Sequence, residues 1–170
     1  GRLAMCHAFN IKYKTKLAPL LPAGIYTIPE ISQVGMTEQD CQKAGIPYVV
    51  GKDKYARHGR GQIIGDTDGM IKLIFNALTG KLLGVHVIGE IASELVHIGM
   101  ACMQYDGDID FFIHTVFNYP TLSDVYKYAA YDALGKLNKV RARTRQVADQ
   151  VSAETRNAPI PEAGARAQGT

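Results

Sequence analysis

The sequence predicts an α+β domain in which helices pack against an antiparallel sheet, and three observations carry that expectation. Two strand-like runs, "MIKLIFN" (70–76) and "KLLGVHVIG" (81–89), are separated only by a short turn at Leu78-Thr79-Gly80. No helix fits between them, so they pair as a hairpin rather than as parallel strands. Helical spacing then takes over from about Glu90, and 170 residues of which 46% are hydrophobic suffice for one core.

Taken in order, Gly1–Phe9 has helical composition but no Ser, Thr, Asp or Asn cap and no acidic first turn, as in a helix entered part way along. Residues 10–23, with three lysines, Pro19 and Pro22, read as a linker. "GIYTIPEISQVG" (24–35) is β-branched and aromatic, and Pro29 makes it an edge strand or two short strands meeting at a bend. Thr37–Ala44 is a short helix capped by Thr37, with Asp40 at the capping-box position and Gly45 and Pro47 ending it. "YVVGKDKY" is a strand, and "MIKLIFN" places Ile71, Leu73 and Phe75 on one face. In the returning strand Gly84 marks a bulge or a close packing contact.

A helix follows from about Glu90 to Tyr105. Ile91, Leu95, Ile98 and Cys102 line one face, and Ala92, Val96, Gly99 and Met103 line the next, an apolar arc wider than one contact requires. The second face is expected to meet another helix or another subunit, with Leu95, Val96, Ile98, Gly99 and Met103 as candidate interface residues. "DIDFFIHTVF" is a short amphipathic helix, and the last helix starts near Thr121 with Leu122, Val125, Ala129, Ala133 and Leu137 at core spacing. From residue 141 onward only Val147, Val151 and Ile160 are large and apolar, so 139–170 is expected to be a disordered tail whose first third is able to extend the helix.

Composition excludes several classes. Five arginines against Asp149, Glu154 and Glu162 put two of the three net positive charges in the last thirty residues, leaving a near-neutral body without a nucleic-acid footprint. No apolar run is long enough for a membrane span and no signal peptide opens the chain, which reads as soluble and cytoplasmic. Cys6, Cys41 and Cys102 are odd in number and widely spaced, as reduced thiols rather than a disulfide framework or a metal site.

Candidate chemistry concentrates in "FNYPTLSDVY" (117–126). By spacing, Thr121 and Asp124 form a T-x-x-D helix start, with Asp124 favourable at the N-terminus, Pro120 fixing the entry and Tyr119 packing. His86, His97 and His114 fall inside elements and take structural roles, while His7 and His58 are placed at the surface. The basic run Lys52, Lys54, Arg57, His58 and Arg60 reads as a solvated, glycine-loosened loop. "GRGQIIGDTDG" lacks the strand-before, helix-after setting of a phosphate cradle. The chain by itself holds no complete active site.

Several motifs in fixed order carry a resemblance. "IYTIPEISQVGMTE", "LLGVHVIGEIASELVHIG" and "VFNYPTLSDVYKYAA" together resemble the C-terminal dimerisation domain of FAD-dependent pyridine nucleotide-disulfide oxidoreductases. Within that superfamily "GRLA", "GIYTIPEIS", "RGQIIGDTDG", "ELVHIG" and "FNYPT" are most similar to soluble, Si-specific pyridine nucleotide transhydrogenases, over about residues 1–138.

The resemblance implies about five antiparallel strands flanked by helices over 23–138. It makes residues 1–22 the remnant of an FAD-domain helix and linker, with FAD and NAD(P) domains in an intact homodimer exchanging hydride between NADPH and NAD⁺. In the family an "HPT" turn crosses the two-fold axis to complete the partner's flavin site. Here that lip would be Tyr119, Pro120 and Thr121, supported by a cap of Thr121 and Asp124, with a cis bond expected between Tyr119 and Pro120. The family's His stands as Tyr119 and its Glu as Asp124. A phenol has a reference pKa of about 10, so base work from one near neutrality costs about 4 kcal/mol. The departure favours hydride exchange over dithiol chemistry. The alternatives are the same domain of a disulfide reductase such as dihydrolipoamide dehydrogenase, and a free-standing dimerisation module without catalysis. The isolated chain is expected to bind neither FAD nor nucleotide, and no metal.

Overall fold

A computed structural model describes residues 1–157. The chain starts with α1 (Arg2–Ala8) and reaches, without regular structure between, a short strand β1 (Ala23–Ile25) and then β2 (Glu30–Gly35). A cis Ile28–Pro29 bond lies between these two strands, so the segment around Pro29 is two short strands, of which β1 is the edge. Helix α2 (Glu38–Lys43) leads to β3 (Tyr48–Lys54), a 3₁₀ turn at Tyr55–Arg57 and α3 (Gly59–Ile64). The predicted hairpin follows as β4 (Met70–Asn76) and β5 (Leu82–Gly89). Three helices then complete the described chain, α4 (Ala92–Gln104), α5 (Ile109–His114) and, after a 3₁₀ turn at Leu122–Asp124, α6 (Val125–Asn157).

The five strands form one antiparallel sheet in the order β1-β2-β5-β4-β3. Register explains the main buried face. Val34 lies opposite Val85, Val85 opposite Leu73 and Leu73 opposite Gly51, so strand alternation puts one row of side chains inward. Ile71, Leu73 and Phe75, expected on one face, are fully buried there. At Gly84 both expectations hold. The β4–β5 register slips between Ile74 and Phe75, and a Cβ on Gly84 would lie 2.0 Å from the Met36 carbonyl oxygen.

Helices α4 and α6 cover that inward face. Gly99 of α4 lets the helix approach, since a Cβ there would fall 2.4 Å from Val85 Cγ2. Gly51 of β3 does the same for α6, its Cβ position being 1.9 Å from the Ala129 carbonyl oxygen. Phe112 of α5 stacks on Tyr126 of α6, with centroids 5.1 Å apart and planes 13° apart, and meets Phe75 edge-on at 6.3 Å. Each such pair adds about 0.5–1.5 kcal/mol beyond its buried area. The outer edge of β3 is also tied to α6. Its Lys52 amide donates to Asp132 Oδ2 at 3.0 Å, and Lys136 Nζ donates to the Val50 carbonyl at 2.7 Å.

Two expectations change. The boundary at 138 falls inside α6, which continues to Asn157. Its Arg, Ala, Gln and Glu residues are good helix formers, and residues 141–146 extend it with exposed side chains. Residues 158–170 of the expected tail lie outside the described residues. The basic run at 52–60 is not a loop, because Lys52 and Lys54 lie in β3, Arg57 in the 3₁₀ turn and Arg60 in α3. Cys6, Cys41 and Cys102 are free and buried, and burial pushes the Cys102 thiol up to about 12. No described helix is long and apolar enough to cross a membrane, and no group of three described His, Cys, Asp or Glu residues has metal-holding geometry.

Candidate functional site

The site is the corner between α5 and α6. After α5 the chain runs extended through Thr115, and no backbone hydrogen bond among the described residues joins 116–120 to another backbone group. The Tyr119–Pro120 bond is cis, as expected, and Tyr119 is 77% exposed. Its hydroxyl lies over Gly59, where a Cβ would come within 2.5 Å of it. Tyr119 and Pro120 therefore form a raised lip with free backbone groups, while Thr121 is half-buried.

What holds the lip is downstream. Leu122, Val125 and Tyr126 are all buried. The Tyr126 hydroxyl donates to the Leu95 carbonyl at 2.7 Å and accepts from the Gly99 amide at 3.2 Å. Those are the two α4 groups that regular helix geometry would join, so the phenol sits in the ladder and pins the start of α6 to α4. Burial pushes this phenol well above its ordinary range.

The expected capping box at Thr121 does not form. Thr121 Oγ1 accepts from the Ser123 amide at 3.2 Å, serving a 3₁₀ turn rather than an α-helical one. Asp124 is turned away, its Oδ2 standing 3.5 Å from His58 Nδ1. The physical reason is tertiary, because the fold brings a buried imidazole from another element up to the carboxylate. His58, expected at the surface, is only 4% exposed. Its Nε2 bonds Asp53 at the end of β3, and its ring meets Tyr128 edge-on at 5.1 Å and 73°.

Of the interface candidates, Leu95, Val96 and Gly99 are buried against the chain's own sheet and are withdrawn as contacts with a second subunit. The wide apolar arc of α4 is used twice within the same chain, by β2 and β5 on one side and by Tyr126 on the other. Ile98 and Met103 keep partial exposure at the edge of the core.

Sequence reasoning missed Asp53 and His58. A signal was present, since alternation in "YVVGKDK" puts Asp53 on the same face as Val49 and Gly51, and a buried carboxylate demands a partner. The glycines of "GRGQIIGDTDG" also find a use. Gly69 and Gly89 close around the buried Tyr55 ring, their Cβ positions lying 2.3 and 2.7 Å from its atoms, and Gly61 packs on the Tyr55 backbone, its Cβ position 2.2 Å from the carbonyl oxygen.

Comparison with known proteins agrees with the fold. Residues 21–130 match the family described as "Pyridine nucleotide-disulphide oxidoreductase, dimerisation domain". The "Soluble pyridine nucleotide transhydrogenase" of Mycobacterium bovis is 48% identical over 137 residues, covering 81% of this chain and 29% of that protein. The chain thus spans less than a third of the length of this relative. The crystal structure of LpdA from Mycobacterium tuberculosis aligns with a TM-score of 0.67 at 25% identity, over 76% of this chain and 28% of that one. The flavoprotein disulfide reductase RclA from Escherichia coli aligns with a TM-score of 0.67 at 22% identity, over 74% of this chain and 29% of that one, a likeness of fold.

Proposed function

Since the chain belongs to the pyridine nucleotide-disulphide oxidoreductase dimerisation-domain family, we propose that it is the subunit-joining part of a cytoplasmic, homodimeric, FAD-dependent transhydrogenase. The single observation that carries this reading is the lip. An exposed Tyr119 ring and backbone groups free of internal bonds over 116–120 suit the edge of a flat, polar ring supplied by a second subunit. FAD, where bound in the whole protein, would supply the hydride-carrying chemistry by which NADPH and NAD⁺ become NADP⁺ and NADH, with no net proton change.

The chain's own residues have a limited task in that chemistry. Pro120 and the Tyr119 backbone would close the site against water, and Tyr119 would pack along the ring edge. Hydride exchange asks for no proton shuttle at a thiol, which fits a phenol where dithiol chemistry calls for a base near neutrality. That same point disfavours the disulfide reductase reading. Ile98, Met103 and the lip itself are candidate surfaces for the two-fold contact, together with Tyr128 and Tyr131, which are about half exposed on α6.

Substitution of this chain for the matching segment of the Mycobacterium bovis relative tests the proposal. The expected product is a yellow dimer that moves hydride from NADPH to an NAD⁺ analogue within about tenfold of the parent rate. The same replacement in RclA should abolish disulfide reduction. A first hybrid that dimerises and holds flavin but transfers no hydride would overturn the reading.

A further inference from the structure

The lip has no backbone bonds of its own over 116–120, so its height depends on what fixes its downstream end. Leu122 and Tyr126 supply packing, but neither sets the direction of the 3₁₀ turn between them. Among the described residues, a polar contact of that turn with another part of the fold is Asp124 against His58.

His58 is unusually well held. Asp53 is 2% exposed, and a buried carboxylate without a partner is costly, so the ring cannot leave it cheaply. Arg57 Nη1 binds the other Asp53 oxygen at 3.2 Å, and Tyr128 closes the ring's edge. The two imidazole nitrogens therefore face two carboxylates, Asp53 at the end of β3 and Asp124 below the lip. The ring thus bridges two elements that are far apart in sequence.

We propose that His58 is a positioning residue for the lip: its imidazole ties Asp124 to Asp53 and so presents Tyr119, Pro120 and Thr121 in a single register. The strut stands without any ligand, and its consequence at a flavin rests on the function proposed above. A simple helix-start role for Asp124 is the competing account. It would leave the carboxylate on the Thr121 amide, where it is not found.

Amide hydrogen exchange on the full chain tests the strut directly. Asp124→Ala and His58→Phe should each speed exchange at Ser123 and Val125 by about tenfold while the Ile71, Leu73 and Phe75 amides stay unchanged, and the double variant should add no further loss. Unchanged exchange at Ser123 in Asp124→Ala, or fully additive effects, would overturn the proposal. Asp124 is partly exposed, so its variant folds even if His58→Phe does not. In the flavin-containing hybrid, Asp124→Ala should lower kcat about tenfold with both KM values and flavin content unchanged. Loss of protection in the chain with unchanged kcat in an active hybrid would leave the strut standing and refute its role at the flavin, whereas a native-sequence hybrid without activity indicts the function alone.

Discussion

Two corners of this chain have the same spelling and opposite uses. "TEQD" (37–40) and "TLSD" (121–124) both place Thr and Asp three residues apart before a helix. At the first, Thr37 Oγ1 accepts from the Asp40 amide at 3.1 Å and the Thr37 amide donates to Asp40 Oδ2 at 3.0 Å, so the pair satisfies itself. At the second the acid abandons the cap for His58. Asp40 lies at an open surface and, among the described residues, its carboxylate bonds only Thr37, whereas Asp124 lies beside a buried ring already committed to Asp53. A local motif keeps its local bonds only when nothing in the surrounding fold outbids them, and the corner where it fails is the one carrying the lip.

The comparison breaks most severely with Gly51→Ala. The added carbon would fall on the Ala129 carbonyl, a backbone atom that cannot rotate away, so α6 must part from β3 and carry the second corner with it. Urea denaturation should show a loss of about 3 kcal/mol, with Asp40 resonances at the first corner still native.

Removing the two caps sharpens the contrast at lower cost. Thr37→Ala should destabilise by about 1 kcal/mol, and Thr121→Ala by about 0.5 kcal/mol because a single 3₁₀ amide is lost. Equal losses in chemical denaturation would mean that the corners are energetically alike after all.

The smallest expected effect concerns protons. The Thr37 hydroxyl, then the Thr37 amide, hold the Asp40 carboxyl below its ordinary value. A depressed folded pKa stabilises the fold above the unfolded value of about 3.9 and loses that contribution as pH falls through the folded value. Carbon-detected titration should therefore place the Asp40 midpoint below that of a free aspartate, and Thr37→Ala should raise it.

Much of the architecture was legible in the residues. The period-2 pattern of 71–75, the short link at 78–80 and the Thr37 box are local signals, and each is realised as read. The helical faces were legible as apolar but not as to partner. The second face of α4 faces Tyr126, a contact between residues far apart in sequence that no periodicity records. The site was half legible for the same reason. Tyr119, Pro120 and Thr121 lie on one short stretch with turn chemistry, but His58 reaches Asp124 across more than sixty positions and was hidden among basic neighbours that suggested a solvated loop. Only the parity of Asp53 in its strand pointed inward.

The central claim is that the lip closes over a flavin held by a second subunit, and the chain contains no tryptophan, so Tyr119→Trp introduces a reporter at that spot. In the flavin-containing hybrid, indole emission attributable to the Tyr119→Trp substitution should be quenched several-fold and should return when FAD is stripped or when the dimer is diluted to monomers. Emission from that indole unaffected by flavin removal in a stable dimer would contradict the account.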